Sequence, residues 1–202
     1  MSMQVCRIAV AACFGVVLLM HSAPAEAQYQ LPNLVSNQVG QAPTVDPLLA
    51  NPWGLARSAS GPWWISENDT GWSTIYEGSG KQSSLRVLIP TAGNGPSSAT
   101  GLNGPGTPTG IVVNGSSTNF QVQGEKTDFI YATLDGTISA WAPGLNTNQA
   151  TIVVDNSANK ASYTGVAITN KPSGNFLFAA NNTNMRVRGM DRVGSRNTTM
   201  SI

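Results

Sequence analysis

The sequence predicts an all-β chain, a β-propeller of about three blade-like repeats of about 55 residues, on three observations. A Gly-apolar motif recurs as Trp53-Gly54-Leu55-Ala56, Thr109-Gly110-Ile111-Val112 and Thr164-Gly165-Val166-Ala167, with 56 and then 55 residues between the glycines. After each copy comes an apolar strand: Trp63-Trp64-Ile65, then Phe129 to Thr133, then Phe176 to Ala180. Turn signals follow the first two, Asn68-Asp69-Thr70-Gly71 and the hairpin dipeptide Asp135-Gly136, each leading into a further strand. A constant period of this length with several strands per unit is the pattern of propeller blades. A β-sandwich with chance similarity accounts for the strands but not for the recurring order.

Residues 1–27 read as a secretory signal peptide. Arg7 supplies the positive charge, Ile8 to Met20 is an apolar run of 13 residues, and Ala25-Glu26-Ala27 is a small-x-small cleavage site before Gln28. The run is short of the ~20 apolar residues a bilayer span needs. Val10-Ala11-Ala12-Cys13 resembles a lipoprotein box, but the apolar run continues past the cysteine instead of ending there. The expected localisation is secreted or periplasmic.

Cleavage at that site has a chemical consequence. Cys6, Cys13 and the single histidine, His21, all lie within the signal, so residues 28–202 contain no Cys and no His. A disulfide, a Cys or His zinc site, a Cys nucleophile and a His-based triad are excluded from the mature chain. Only 10% of residues are charged and the formal net charge is +1, so no field attracts nucleic acid or anionic lipid. No membrane association is expected after signal removal.

Residues 28–50 form a lead-in. Leu34-Val35-Ser36 fits a short strand, and Pro43, Pro47 and Pro52 keep the rest out of helix. The first repeat, 51–108, holds strands at Leu55, at Trp63-Trp64-Ile65, at Ser73 to Tyr76 and, outermost, at Leu85 to Ile89. Residues 91–108 have no periodicity and read as a surface loop, either a ligand-binding loop or a tolerated insertion. The second repeat, 109–163, holds Ile111-Val112-Val113, Phe120-Gln121-Val122, Phe129 to Thr133, Thr137 to Trp141 and an outer strand, Ala150 to Val154.

The third repeat is expected to be partial, 164–184. Residues 185–202 hold five charged residues in 18 positions, against 16 in the preceding 184, and four of the chain's 11 basic residues. The compositional break falls where the repeat should continue, so the tail reads as atypical, a frameshift or truncation. As a nucleic-acid motif, four arginines without interleaved aromatics are weak. A closed propeller has at least four blades, so three leave an open edge.

Leu34-Val35-Ser36-Asn37-Gln38, Asp46-Pro47 and Asn51-Pro52-Trp53-Gly54-Leu55-Ala56 together resemble the opening of a family of secreted bacterial proteins of unknown function with a β-propeller (NHL/lactonase-like) fold. Pro108 to Val112, Asp135 to Trp141, Val153 to Ser157 and Tyr163 to Ala167 extend the resemblance over about residues 31–184. It implies a six-bladed propeller roughly twice this length, with this chain as the N-terminal half. It carries no catalytic residue over.

With neither His nor Cys, chemistry would rest on carboxylates, amides, hydroxyls or an oxygen-ligated cation. Residues after the second strand of each repeat are the candidates for an axial site: Glu67, Asn68, Asp135 and Asn181. Ca²⁺ takes 6–8 oxygen ligands, and calcium-dependent propeller lactonases use carboxylates and asparagines in this style. The same residue types are what strand-connecting turns require. Four tryptophans crowd into residues 53–72. Adjacent Trp63 and Trp64 must point to opposite faces, and Trp72, placed at a turn, is with Asp69 the candidate for stacking on a sugar. The leading expectation is a binding or scaffold module without catalysis and with no cofactor, its partner unknown and a glycan or a protein the candidate ligands. A calcium-dependent lactonase-like hydrolase with its site on the propeller axis is the first alternative, and glycan binding the second.

Overall fold

The computed structural model describes residues 30–92, 105–171, 174–183, 186–190 and 198–200. The expected signal segment, most of the 91–108 loop and most of the tail lie outside the described residues. The sheets described below all lie within Pro32–Ile202.

The chain is all-β and propeller-type. Three four-stranded antiparallel sheets follow one another, each laid down in sequence order. The first blade is β3 (Pro52–Ala56), β4 (Trp63–Glu67), β5 (Trp72–Tyr76) and β6 (Val87–Leu88). It is preceded by a parallel two-stranded pair in the lead-in, β1 (Val35–Ser36) and β2 (Thr44–Val45). The second blade is β7 (Pro108–Val113), β10 (Phe129–Thr133), β11 (Thr137–Trp141) and β12 (Thr151–Asp155); a small hairpin, β8 (Gln121–Val122) with β9 (Glu125–Lys126), interrupts it. The third is β13 (Tyr163–Lys171), β14 (Gly174–Asn181), β15 (Arg186–Met190) and β16 (Thr198–Met200). The first strands pack side by side, β7 lying between β3 and β13, so the sheets are stacked face to face as neighbouring blades.

The recurring glycine has a steric cause. A Cβ on Gly54 would meet the Thr109 carbonyl oxygen at 2.5 Å and Ile111 Cγ2 at 2.9 Å. On Gly110 it would meet Val166 N at 2.6 Å and Val166 Cγ1 at 2.9 Å. These are the points where innermost strands of adjacent blades pass closest, and only glycine leaves room. Hydroxyls staple the same seam. Ser66 Oγ donates to the Thr109 carbonyl at 2.5 Å, and Thr109 Oγ1 donates to the Tyr163 carbonyl at 2.7 Å.

Alternation along the strands then builds two cores. In β10 all five residues are buried, because both faces of the middle blade are covered. Phe129 and Tyr131 face the first blade and join Trp64, Ile75, Val87 and Trp141. Trp64 stacks on Phe129 at 4.2 Å between centroids and tilts against Trp141 at 4.8 Å. Ile130 and Ala132 face the third blade and join Ile138, Ala140, Leu177 and Ala179. Buried aromatics of this size contribute most of the inter-blade cohesion.

Several expectations need correction. Leu85 to Ile89 pairs only at Val87–Leu88. Phe120-Gln121-Val122 is no blade strand. It leads into the β8–β9 hairpin, which turns at Gln123-Gly124, both at positive φ, and its buried Phe120 and Val122 plug the second core. Beyond residue 184, β15 pairs with β14 and β16 with β15, which gives the third sheet four strands. Trp72 does not sit at a turn. It starts β5, opposite Leu88, and is half-buried.

Candidate functional site

Each blade carries the same irregularity. The register between its first and second strands shifts near the start of the first, so that Pro52 faces Glu67, Pro108 faces Thr133 and Tyr163 faces Asn181. Glu67, Thr133 and Asn181 are therefore equivalent, and all three are buried. Asn68 follows Glu67, and Asp135 is the counterpart of Asp69.

The four residues expected at an axial cation site occupy these positions, and most of their polar atoms bond to the walls, Glu67 Oε2 and Asn181 Nδ2 being without a hydrogen-bond partner. Glu67 Oε1 accepts from Thr74 Oγ1 at 2.6 Å. Asn68 Nδ2 donates to the Pro108 carbonyl at 3.1 Å, tying the first blade to the second. Asp135 accepts from Thr107 Oγ1 at 2.6 Å, from Thr107 N at 3.2 Å and from Ala92 N at 3.4 Å, which clasps both ends of the 91–108 loop. Asn181 Oδ1 accepts from Ser162 N and Thr183 N. Among the described residues no three His, Cys, Asp or Glu side chains stand close enough to hold a metal ion. The donor set does not fit Ca²⁺, which needs several free oxygens converging on one point.

Electrostatics separates the two acids. Burial pushes the Glu67 carboxyl up to about 7; the Asp46 charge adds to the rise, and hydrogen bonding from Thr74 and the Ala50 backbone opposes it. Its second oxygen, Oε2, has no hydrogen-bond partner. Burial also disfavours the charged form of Asp135, but hydrogen bonds from Thr107, Thr91 and Thr133 outweigh it and hold that carboxyl below its ordinary range. Next to Glu67, Asp46 closes the outer end of the first blade, accepting from the Tyr76 hydroxyl at 2.6 Å and from Gln82 Nε2.

The accessible chemistry lies at the entry to β3. Asn51 takes a positive φ of 52°, which asparagine tolerates. Its backbone carbonyl accepts from Asn68 N, and its Nδ2 donates to Asp69 Oδ1 at 2.9 Å and to Asn68 Oδ1 at 3.4 Å. Its Oδ1 accepts from the Trp53 indole N–H at 3.1 Å. The Trp53 ring is thereby fixed at its polar end while the residue stays 47% exposed. An exposed indole beside an oriented amide and an exposed carboxylate can stack on an apolar ring face and exchange hydrogen bonds at the rim.

Of the two candidate ligand-binding residues, Asp69 belongs to this cluster, whereas Trp72 is placed in β5. Trp53 and Asn51 were missed. One signal existed: the other two repeats carry threonine, Thr109 and Thr164, where Trp53 stands. An aromatic needed for inter-blade packing would recur; this one does not.

The sheet order, the shared register shift and the strand-to-strand packing define the class: a propeller-type protein described here with three blades. No family model matches the chain. A stretch of 39 residues, 19% of this chain, is 56% identical to an uncharacterized protein of Acanthamoeba polyphaga mimivirus and spans 7% of it. A catalytically inactive virginiamycin B lyase from Staphylococcus aureus, solved with quinupristin, is similar over 75% of this chain and 41% of its own, with 14% identity and a TM-score of 0.48. Hydrazine synthase of Kuenenia stuttgartiensis is similar over 79% and 38%, with 12% identity and a TM-score of 0.44. The chain thus spans well under half of each of these three relatives. The blade assignment rests on the chain's own strand pairing.

Proposed function

We propose that this chain is a secreted binding module of propeller type, related to the secreted bacterial family its motifs resemble, and that it takes a glycan on the Trp53 face. The observation that carries the proposal is the half-exposed Trp53 ring, fixed through Asn51 to the exposed carboxylate of Asp69. A sugar ring presents an apolar face to an indole and hydroxyls to the amides and carboxylate around it. Binding without catalysis is supported by the chemistry of residues 28–202, which contain no His or Cys, and by the burial of Glu67. Ligand sites of this kind need few polar groups, provided they are placed rigidly.

A glycan array followed by calorimetry on the best hit tests the reading. Trp53→Ala should abolish binding, Asp69→Ala should weaken it, and Trp72→Ala should leave it intact. Unchanged binding by Trp53→Ala, or loss through Trp72→Ala alone, would refute the assignment of the face. Secretion is tested separately by N-terminal sequencing of the exported protein, with Gln28 the expected first residue.

A further inference from the structure

The geometry points to Glu67 as a positioning residue for the Trp53 face: while protonated its carboxyl holds the face in its binding form, and when ionised it releases it. For the identity of the ligand alone, this rests on the reading of that face as a glycan site.

The face is built on a strap. Residues 46–51 cross the turn that follows β4, and three hydrogen bonds seat them there. Thr70 Oγ1 donates to the Leu48 carbonyl at 3.1 Å, Asn68 N to the Asn51 carbonyl at 3.2 Å, and Asp69 N to the Ala50 carbonyl at 3.5 Å. Asp46 anchors the first residue of the strap through the Tyr76 hydroxyl and Gln82 Nε2. Asn51, the last, is held at positive φ and orients both Asp69 and the Trp53 indole. A shift of the strap therefore turns the indole.

Glu67 lies against that strap. Pro52 is its register partner, and its carboxyl meets the Ala50 backbone. Oε1 is taken by Thr74 Oγ1, whereas Oε2 is buried and has no partner. The titratable groups facing it are Asp46 on the strap and Tyr76 on β5, and Asp69 lies two residues further along its own turn. Burial and the bond to Asp46 keep the Tyr76 hydroxyl protonated. None of these groups is a cation that could offset a second negative charge.

The two protonation states of Glu67 therefore treat the strap differently. The neutral carboxyl adds no charge beside Asp46. The ionised one faces Asp46 across a desolvated interior, with an oxygen left for water to satisfy. One wall of this space, β4 with β5, is fixed by its ladder. The other wall is the strap, which a few hydrogen bonds hold, so it is the wall that yields. Burial pushes the Glu67 carboxyl up to about 7, which places the change close to neutral pH.

The Trp53 indole N–H reports the strap without any ligand. Nitrogen–proton correlation spectra of the full chain from pH 5.5 to 8.5, with the signal assigned by its loss in Trp53→Phe, should show it titrating with a midpoint near 7. Glu67→Gln should hold the signal at its low-pH position throughout. Asp46→Asn removes the neighbouring charge and should move the midpoint to lower pH. A glutamate with a merely structural role would give neither result, and thermal melting checks the fold of each variant. Affinity for the best glycan-array hit should fall about thirtyfold over the same range in the wild type and stay level in Glu67→Gln. An indole signal flat with pH, or one that titrates unchanged in Glu67→Gln, overturns the inference whatever ligand binds. Level affinity in the wild type overturns it too. A titrating indole on a protein that binds no glycan supports the coupling and refutes the glycan reading.

Discussion

Replacing Glu67 by glutamine should stabilise the protein at pH 8 and destabilise it by about 1 kcal/mol at pH 4.5. The carboxyl is fully buried and titrates near 7 in the folded state, against about 4.5 when free. Below 4.5 it is protonated in both states and contributes nothing to the pH dependence. Between 4.5 and 7 the unfolded chain releases its proton while the folded chain keeps it, so stability falls as pH rises, and above 7 the loss is constant. At about 1.4 kcal/mol per pH unit, the full penalty is roughly 3 kcal/mol. Glutamine keeps the shape and an acceptor for Thr74 Oγ1, and it has no charge to desolvate. Its amide N–H₂ takes the place of Oε2, which has no partner, so about 1 kcal/mol of the gain is returned. The net expectation is a stabilisation of about 2 kcal/mol at pH 8. Urea denaturation at pH 4.5, 6, 7 and 8 on both proteins measures it. A difference that does not grow with pH, or a variant less stable at every pH, would refute the claim that the buried ionised carboxyl is the cost.

Asp135 should show the opposite sign. Its folded carboxyl lies below its ordinary range, so its contribution is present above that range and is lost as pH falls; Asp135→Asn should destabilise at pH 7 and not in strong acid, read from the same denaturation series. Gly110→Ala drives a methyl against Val166 N and Cγ1, and a loss of about 1–3 kcal/mol is expected, whereas Gly165→Ala should be neutral in the single chain; thermal melting separates them. Trp64→Ala empties the stack with Phe129 and Trp141 and should cost about 3–5 kcal/mol together with most of the near-ultraviolet circular dichroism. Thr109→Val removes the donor shared by the Ala132 and Tyr163 carbonyls and should cost about 1–3 kcal/mol by denaturant midpoint.

The blade count, the second strands and most third strands were legible because two constraints act locally. Strand faces alternate, and the innermost strands of adjacent blades cross where only glycine fits at Gly54 and Gly110, with Gly165 at the same spacing. Phe129–Thr133 and Thr137–Trp141 match the expected bounds residue for residue. The β8–β9 hairpin was not legible. Phe120, ahead of β8, and Gln123, in the turn, take positive φ, which neither residue type announces, and Gly124 is a weak turn signal by itself. Arginines argue against a core strand, but β15 and β16 are the outer strands of their blade, where pairing asks for little apolar content. Among the candidate site residues, residue type alone could not separate a ligand-binding asparagine from a turn asparagine. Asn68 Nδ2 and Asn181 Oδ1 bond to neighbouring backbone, and Asn51, which was not singled out, orients the exposed indole.

The double-sided burial of the middle sheet has a kinetic meaning. Each sheet touches only its neighbours, so cohesion accumulates along one dimension, sheet by sheet. The outer sheets can each release one face at the cost of a single interface, whereas the middle one can open only by breaking two. Backbone amides of Ile130 and Ala140 should therefore exchange with solvent last, and those of β3 and β13 sooner. Fraying would run inward from both ends, leaving the second sheet as the last ordered element and, on refolding, as the template on which the others assemble.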